Sequence, residues 1–234
     1  MEANISGSKG LTRRTRRRFI EAVSSGQAQA TPAPASLIYR PLSYVEIIDL
    51  VELFPQSQPL EVELGSGDGS FLAQWAARHP NHNFLGVERL LGRLRKLDRK
   101  GRRAGLTNLR LLRIEAAYFL EYLLPRGSVH ALHLYFPDPW PKRKHRLKRL
   151  VNARFAEVAA LALAPGGTVY VRTDDEDYFA QMICAFEKNA KYGSVETPVA
   201  LRTALTDFER EFESRGVATL RAAFRLESKV PDRV

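Results

Sequence analysis

Strand-like and helix-like segments alternate along most of this 234-residue chain. That alternation predicts an α/β fold built on a doubly wound, mostly parallel sheet. A hydrophobic content of 44% can fill a real core. Most apolar runs also end in Gly, Pro or acidic residues, where an open α/β sheet binds its ligands.

Residues 1–36, rich in Ser, Gly, Ala, Pro and Arg, read as a flexible basic N-terminal arm ending in Thr31-Pro32-Ala33-Pro34-Ala35-Ser36. Residues 37–234 read as one domain. A helical period from Leu42 (Val45, Ile48, Val51, then Leu53 and Phe54) predicts a helix that Pro55 stops. Strands are predicted at 60–64, 83–87, 108–113, 129–135 and 167–173, with helices at 70–79, 89–103, 116–123, 147–163 and 175–190. Beyond Tyr192 the pattern changes: 194–199 and 218–226 read as strands around a charged loop and short helix, 203–215, giving a seven-stranded sheet. No internal repeat or second core is visible.

Thirty-six Lys and Arg against 26 Asp and Glu leave a net charge of +10. Twenty of those cations fall in three short stretches, 13–18, 89–103 and 142–154. Such clustering favours a polyanionic partner, because phosphate neutralisation releases counterions. Cys184 is the only cysteine, which excludes a disulfide scaffold and points to a reducing, cytoplasmic setting. No apolar run approaches the roughly 18 residues of a membrane helix, and no secretory signal is expected.

The first strand runs into Glu63-Leu64-Gly65-Ser66-Gly67-Asp68-Gly69-Ser70. Glycines here let bare backbone approach a ligand. A dinucleotide fingerprint would need its third glycine at Ser70, and the carboxylates of Glu63 and Asp68 would repel a pyrophosphate. S-adenosylmethionine fits better, since it carries a sulfonium and an ammonium and no phosphate. Glu88 ends the second strand, 25 residues beyond Glu63, where an acid can accept from both ribose hydroxyls. Glu115 follows the third strand and reads either as an adenine-amino acceptor or as a helix-start acid.

The most specific stretch is Tyr135-Phe136-Pro137-Asp138-Pro139-Trp140-Pro141-Lys142, followed by the cationic run 143–149. Three prolines in five positions stiffen the turn and keep a helix from starting early. One carboxylate, Asp138, sits beside an indole and a phosphate-attracting run, an arrangement suited to holding a nucleobase. His130 and His133 are three apart on a strand and point to opposite faces, and no metal is implied. His79 and His82 read as surface residues.

Together these residues resemble the tRNA (guanine-N7)-methyltransferase family, from about Tyr39 to Glu227. The resemblance rests on Glu63-x-Gly65-x-Gly67-x-Gly69, Gly86-Val87-Glu88, Phe136-Pro137-Asp138-Pro139-Trp140-x-Lys142, Arg172-Thr173-Asp174 and Thr206-x-x-Glu209. It implies a class I, Rossmann-like methyltransferase fold, S-adenosylmethionine as donor, and the variable-loop guanine-46 of tRNA as acceptor. By position, Glu63, Glu88, Glu115 and Asp138 match cofactor contacts, and Asp138 also matches the catalytic position. Lys142, Asp174 and the segment Thr206, Asp207, Phe208 and Glu209 match substrate contacts. The family often has a shorter Asp or Asn where Glu115 stands. A monomer or homodimer acting on tRNA is expected, without membrane or metal.

Guanine N7 carries a lone pair and no proton, so the acceptor needs no general base. Asp138 is then an orienting and charge-balancing carboxylate, holding either the guanine N1 and N2 hydrogens or the donor's ammonium. Trp140 stacks on a base or packs under the turn. Thr206 and Glu209 form a guanine clamp or a capping box. Two rivals remain: an exocyclic-amine methyltransferase, which would pair carbonyl acceptors with a Pro-Pro step, and a degenerate RNA-binding fold, which would have lost Glu63, the glycines or Asp138.

Overall fold

The structure, a computed structural model, describes residues 35–227; the arm predicted over 1–36 lies outside it except for Ala35 and Ser36. Strands β1 (Ile38–Tyr39), β2 (Leu60–Leu64), β3 (Asn83–Val87), β4 (Leu109–Leu112), β5 (Val129–Tyr135), β6 (Leu163–Thr173), β7 (Tyr192–Val195) and β8 (Leu220–Leu226) form one sheet. Their order is β1-β4-β3-β2-β5-β6-β8-β7. The first six are parallel neighbours, while β8 runs antiparallel to both β6 and β7. The sheet thus has eight strands rather than seven; the extra one is the two-residue β1, too short to show a period.

Helices α1 (Leu50–Leu53), α2 (Ser70–Arg78), α3 (Leu91–Arg103), α4 (Ala116–Tyr118), α5 (Ala153–Ala162), α6 (Glu176–Glu187), α7 (Val199–Thr203) and α8 (Asp207–Ser214) supply the rest. Leu94 and Leu97 of α3 join Phe71, Leu72 and Trp75 of α2 on one face of the sheet. The other face packs Phe119 and Leu123 beyond α4, Phe155 and Ala159 of α5, and Met182 and Phe186 of α6. Both faces are covered, and all five residues of β2 and of β3 are buried.

Three helical expectations and one strand need correction. The helix predicted from Leu42 is confined to Leu50–Leu53. Ser43 Oγ accepts from Val45 N–H at 3.2 Å, and Ile48 N–H donates to Leu123 O at 2.9 Å, so local and tertiary bonds replace the helical ladder. The helix predicted over 147–163 starts at Ala153, because Asn152 caps it by accepting from Phe155 N–H; residues Arg143–Lys148 form a 3-10 turn. Helix α4 passes after one turn into a π-type segment, Phe119–Leu123. The strand predicted at 194–199 is Tyr192–Val195, and Pro198 then introduces α7, which shows no helical signal of its own at five residues.

Glu61 and Glu63 lie two apart on β2 and therefore point to one face, toward α2. Glu61 is enclosed by donors: Trp75 Nε1 at 2.9 Å, His133 Nε2 at 2.8 Å and His82 Nδ1 at 2.7 Å. The far ring nitrogen of His133 meets the Tyr135 hydroxyl at 2.8 Å. Burial acts to raise the Glu61 carboxyl, but bonding and charge from His133, with the bonds from His82 and Trp75, hold it down at about 2. His82 is thus half-buried in this network rather than a plain surface residue.

A depressed carboxylate stabilises the fold above its unfolded pKa and loses that contribution as pH falls through the folded value. Glu61→Gln should cost on the order of 3 kcal/mol at neutral pH. It should also flatten the loss of stability between about pH 5 and pH 2. Urea midpoints measured across that range check both.

Candidate active site

The carboxyl ends of β2, β3, β4, β5 and β6 open onto one edge of the sheet, and the sequence-predicted residues gather there. After β2 the backbone turns through Gly65, Gly67 and Gly69, all at positive φ (78°, 57° and 75°). Gly69 is packed: a Cβ there would stand 2.1 Å from Leu97 Cδ1. Gly65 and Gly67 instead face open space, with nothing closer to their would-be Cβ than a backbone oxygen at 4.0 Å. This turn therefore leaves a cradle bordered by bare backbone.

Glu63 is 4% exposed, yet its Oε2 has no hydrogen-bond partner among the described residues. Burial pushes its carboxyl well above the usual carboxylate range, against the pull of Arg172 and with further push from Glu88 and Asp68. A buried carboxylate without a donor is costly unless a ligand supplies one. Glu88 accepts from Gly67 N–H at 3.1 Å and Leu90 N–H at 2.7 Å, tying the glycine turn to the end of β3. Its oxygens keep lone pairs for further donors. Glu115 is exposed and caps α4, accepting from Ala117 and Tyr118 N–H at 3.0 and 2.8 Å.

Asp138 is exposed at the crest of the Pro-rich turn and bonded to no described residue. Phe136 and Trp140, two residues to either side, hold positive φ of 52° and 44°, which side-chain-bearing residues rarely adopt. Arg149 supplies the anchor. Almost wholly buried, it donates from Nε to Pro139 O at 2.7 Å and from Nη1 to Gln181 Oε1 at 3.0 Å. Its Nη2 lies 2.7 Å from Asp177 Oδ2, and its guanidinium stacks 4.8 Å from the Tyr178 ring centre. Trp140 packs under Lys148 (4.7 Å) and against His145 (5.7 Å). Lys142 is exposed, as is Asp174 just past β6; Asp175 instead caps α6 through Tyr178 N–H at 2.7 Å.

Arg172, 1% exposed near the end of β6, lies 4.0 Å over the Tyr135 ring centre. It reaches Glu209 Oε2 at 2.8 Å and the carbonyls of Ala204 and Leu201. Glu209, itself fully buried, accepts from Arg221 at 2.8 Å and completes a capping box with Thr206 (2.8 and 3.0 Å). The side chains of Thr206 and Glu209 are thus engaged inside the protein, while Asp207 and Phe208 are exposed. Asp207 N–H donates to Ser70 Oγ at 2.9 Å, and Phe208 lies 6.0 Å from Phe136 between ring centres. The segment 206–209 therefore closes on both the glycine turn and the Pro-rich turn.

Sequence reasoning missed the anchoring roles of Arg149 and Arg172. Signals existed: Arg172 directly follows the apolar run Val169–Val171 inside a strand, and Arg149 directly precedes apolar Leu150-Val151. A cation in such positions needs partners.

A doubly wound sheet with a glycine turn, an unpartnered buried acid and acids after the next two strands defines a class I methyltransferase. Residues 57–224 match the family model described as "Putative methyltransferase". A tRNA (guanine-N(7)-)-methyltransferase of Hydrogenovibrio crunogenus is 36% identical over 70% of this chain and 71% of its own length. One from Thiobacillus denitrificans is 33% identical over 83% and 85%. A crystal structure of the 16S rRNA methyltransferase KamB superposes with a TM-score of 0.56 at 18% identity, covering 76% of this chain and 93% of that one, which establishes the fold alone. The chain belongs to the tRNA (guanine-N(7)-)-methyltransferase family, whose methyl donor is S-adenosylmethionine. No helix among the described residues is long and apolar enough to cross a membrane.

Arg149→Met removes the donor to Pro139 O and frees the Asp138 turn. Because small misplacements at a reacting centre can cost about a hundredfold, kcat should fall at least about tenfold while cofactor affinity holds. Steady-state methylation and calorimetric titration with S-adenosylmethionine separate the two effects.

Proposed function

We propose that this chain methylates N7 of guanine-46 in the variable loop of tRNA. The observation that carries the reading is the buried, unpartnered Glu63 Oε2 beside the open cradle at Gly65 and Gly67. An ammonium group satisfies that oxygen, and S-adenosylmethionine carries one. Glu63 would hold the ammonium, Glu88 the ribose hydroxyls and Glu115 the adenine amino group, with Gly65, Gly67 and Gly69 shaping the cradle. When bound, the donor supplies a methyl on a sulfonium, an electrophile that needs no activation by the protein.

The acceptor makes few chemical demands. Guanine N7 has a free lone pair, so no residue need remove a proton. Positioning and tolerance of positive charge remain. Asp138 receives the guanine N1 and N2 hydrogens and offsets charge as the base becomes cationic; its exposure at the crest of a stiff turn leaves it free to do so. Lys142 meets a backbone phosphate. Asp174 borders the cleft from the end of β6, and Asp207 and Phe208 border it from α8. Thr206 and Glu209 act by holding those two residues in place, since their own side chains are occupied.

Incubation with labelled S-adenosylmethionine and unmodified tRNA, then mild reduction and aniline cleavage, tests the reading. Scission confined to guanine-46 is expected; label on an adenine, or on no base, overturns it. Asp138→Ala should lower kcat by roughly a hundredfold or more. Near wild-type turnover would remove Asp138 from the mechanism.

A further inference from the structure

Helix α3 carries a row of cations that the fold does not explain. Arg93, Arg95, Lys96, Arg99 and Arg103 are all exposed, and none forms an ion pair among the described residues. The other two cations of the helix are engaged: Lys100 lies 3.4 Å from Asp68 and 3.9 Å from Asp207, and Arg102 lies 3.7 Å from Asp98. Asp98, the only acid of the helix, is buried and accepts from Leu37 N–H at 2.7 Å.

Helical geometry lines these cations up. Lys96, Arg99 and Arg103 follow one another on the solvent face opposite buried Leu94, Leu97 and Gly101, with Arg95 alongside. Arg95 faces Arg99, and Arg99 faces Arg103, at the four-residue spacing where like charges repel. The dipole rewards cations only in the last turn, whereas Arg93 sits in the first turn, at the positive end. No acid stands in that first turn, and no side chain caps it. The like-charge pairs therefore weaken the helix that bears them, and a polyanion would relieve the repulsion.

Its location matters. Leu97 packs beneath Gly69, and Lys100 pairs with Asp68, so α3 flanks the cofactor cradle directly. The strand preceding α3 is β3 and the strand preceding the Pro-rich turn is β5; these are the two neighbours of β2 in the sheet, roughly 10 Å apart. Basic surfaces thus stand on both sides of the glycine turn.

We propose that the exposed row Arg95, Lys96, Arg99 and Arg103 binds the RNA phosphate backbone away from the reacting base. It serves as a second docking surface across the cradle from Lys142. The proposal rests on the reading that tRNA is the substrate.

The test compares full-length tRNA binding by wild type, by Arg95→Gln/Lys96→Gln/Arg99→Gln, and by Arg126→Gln/Lys188→Gln/Lys191→Gln, which removes the same charge elsewhere. For the α3 variant, the slope of log affinity against log salt should flatten by about two. Its tRNA KM should rise about tenfold near 0.15 M salt, with thermal midpoint and S-adenosylmethionine affinity unchanged. The control variant should keep a slope close to wild type. An α3 variant with the wild-type slope and KM, an equal loss in the control, or a loss of cofactor affinity overturns the proposal. A wild-type enzyme that leaves tRNA guanine unmethylated would instead refute the substrate reading, which the same wild-type assay reports separately.

Discussion

Two carboxylates on one strand set the terms for the rest of this molecule. Glu61 and Glu63 project from the same face of β2 into the space under α2, and both are buried. A buried carboxylate must be hydrogen-bonded or become neutral. Glu61 takes the first course, with Trp75, His82 and His133 around it. Glu63, one pleat nearer the strand's end, lacks such an enclosure: burial raises its carboxyl, and Oε2 is left without a donor. The inner carboxylate cements the sheet, while the outer one keeps an unpartnered oxygen at the glycine turn.

Around Glu63 the loops are anchored by buried arginines. Arg172 lies over Tyr135 and grips Glu209, so it ties the ends of β5 and β6 to the start of α8. Arg149 does the same for the Pro-rich turn, linking Pro139 to Gln181 and Asp177 on α6. Breaking either cluster would strand a buried charge, which is far more damaging than losing a surface pair. The strained φ of Phe136 and Trp140 persists because these anchors over-determine the turn. A reaction whose acceptor already has its lone pair asks for placement above all, and the two buried arginines fix the turns that border the site.

Much of this was legible in the sequence because it is local. The parallel strands from β2 to β5 follow their apolar runs to within a residue, and the Pro and Gly turns lie where φ constraints put them. Asp175 was readable as a helix-start acid because capping spans three residues. What escaped depends on distant partners. The 42–49 stretch has a helical period, yet Ile48 finds Leu123 instead. Glu209 matched a substrate-contacting position, but its oxygens meet Arg172 and Arg221, and no spacing rule reveals that enclosure. His82 sits in a turn by sequence and in the Glu61 network by structure. In sequence Arg149 is one more member of the cationic run 143–149, and only burial separates it from its neighbours.

If Glu63 holds the ammonium as proposed, its carboxyl, which burial raises in the free protein, is ionised in the complex. A cationic ligand favours the ionised form, so binding releases protons to the extent that the free carboxyl is protonated, and affinity rises with pH through that range. Calorimetric titration of S-adenosylmethionine at one pH, in buffers of different ionisation enthalpy, counts those protons directly. Net release by the wild-type protein is expected, with both the release and most of the affinity lost in Glu63→Gln. Buffer-independent heats for wild type, or unchanged binding by Glu63→Gln, would contradict it.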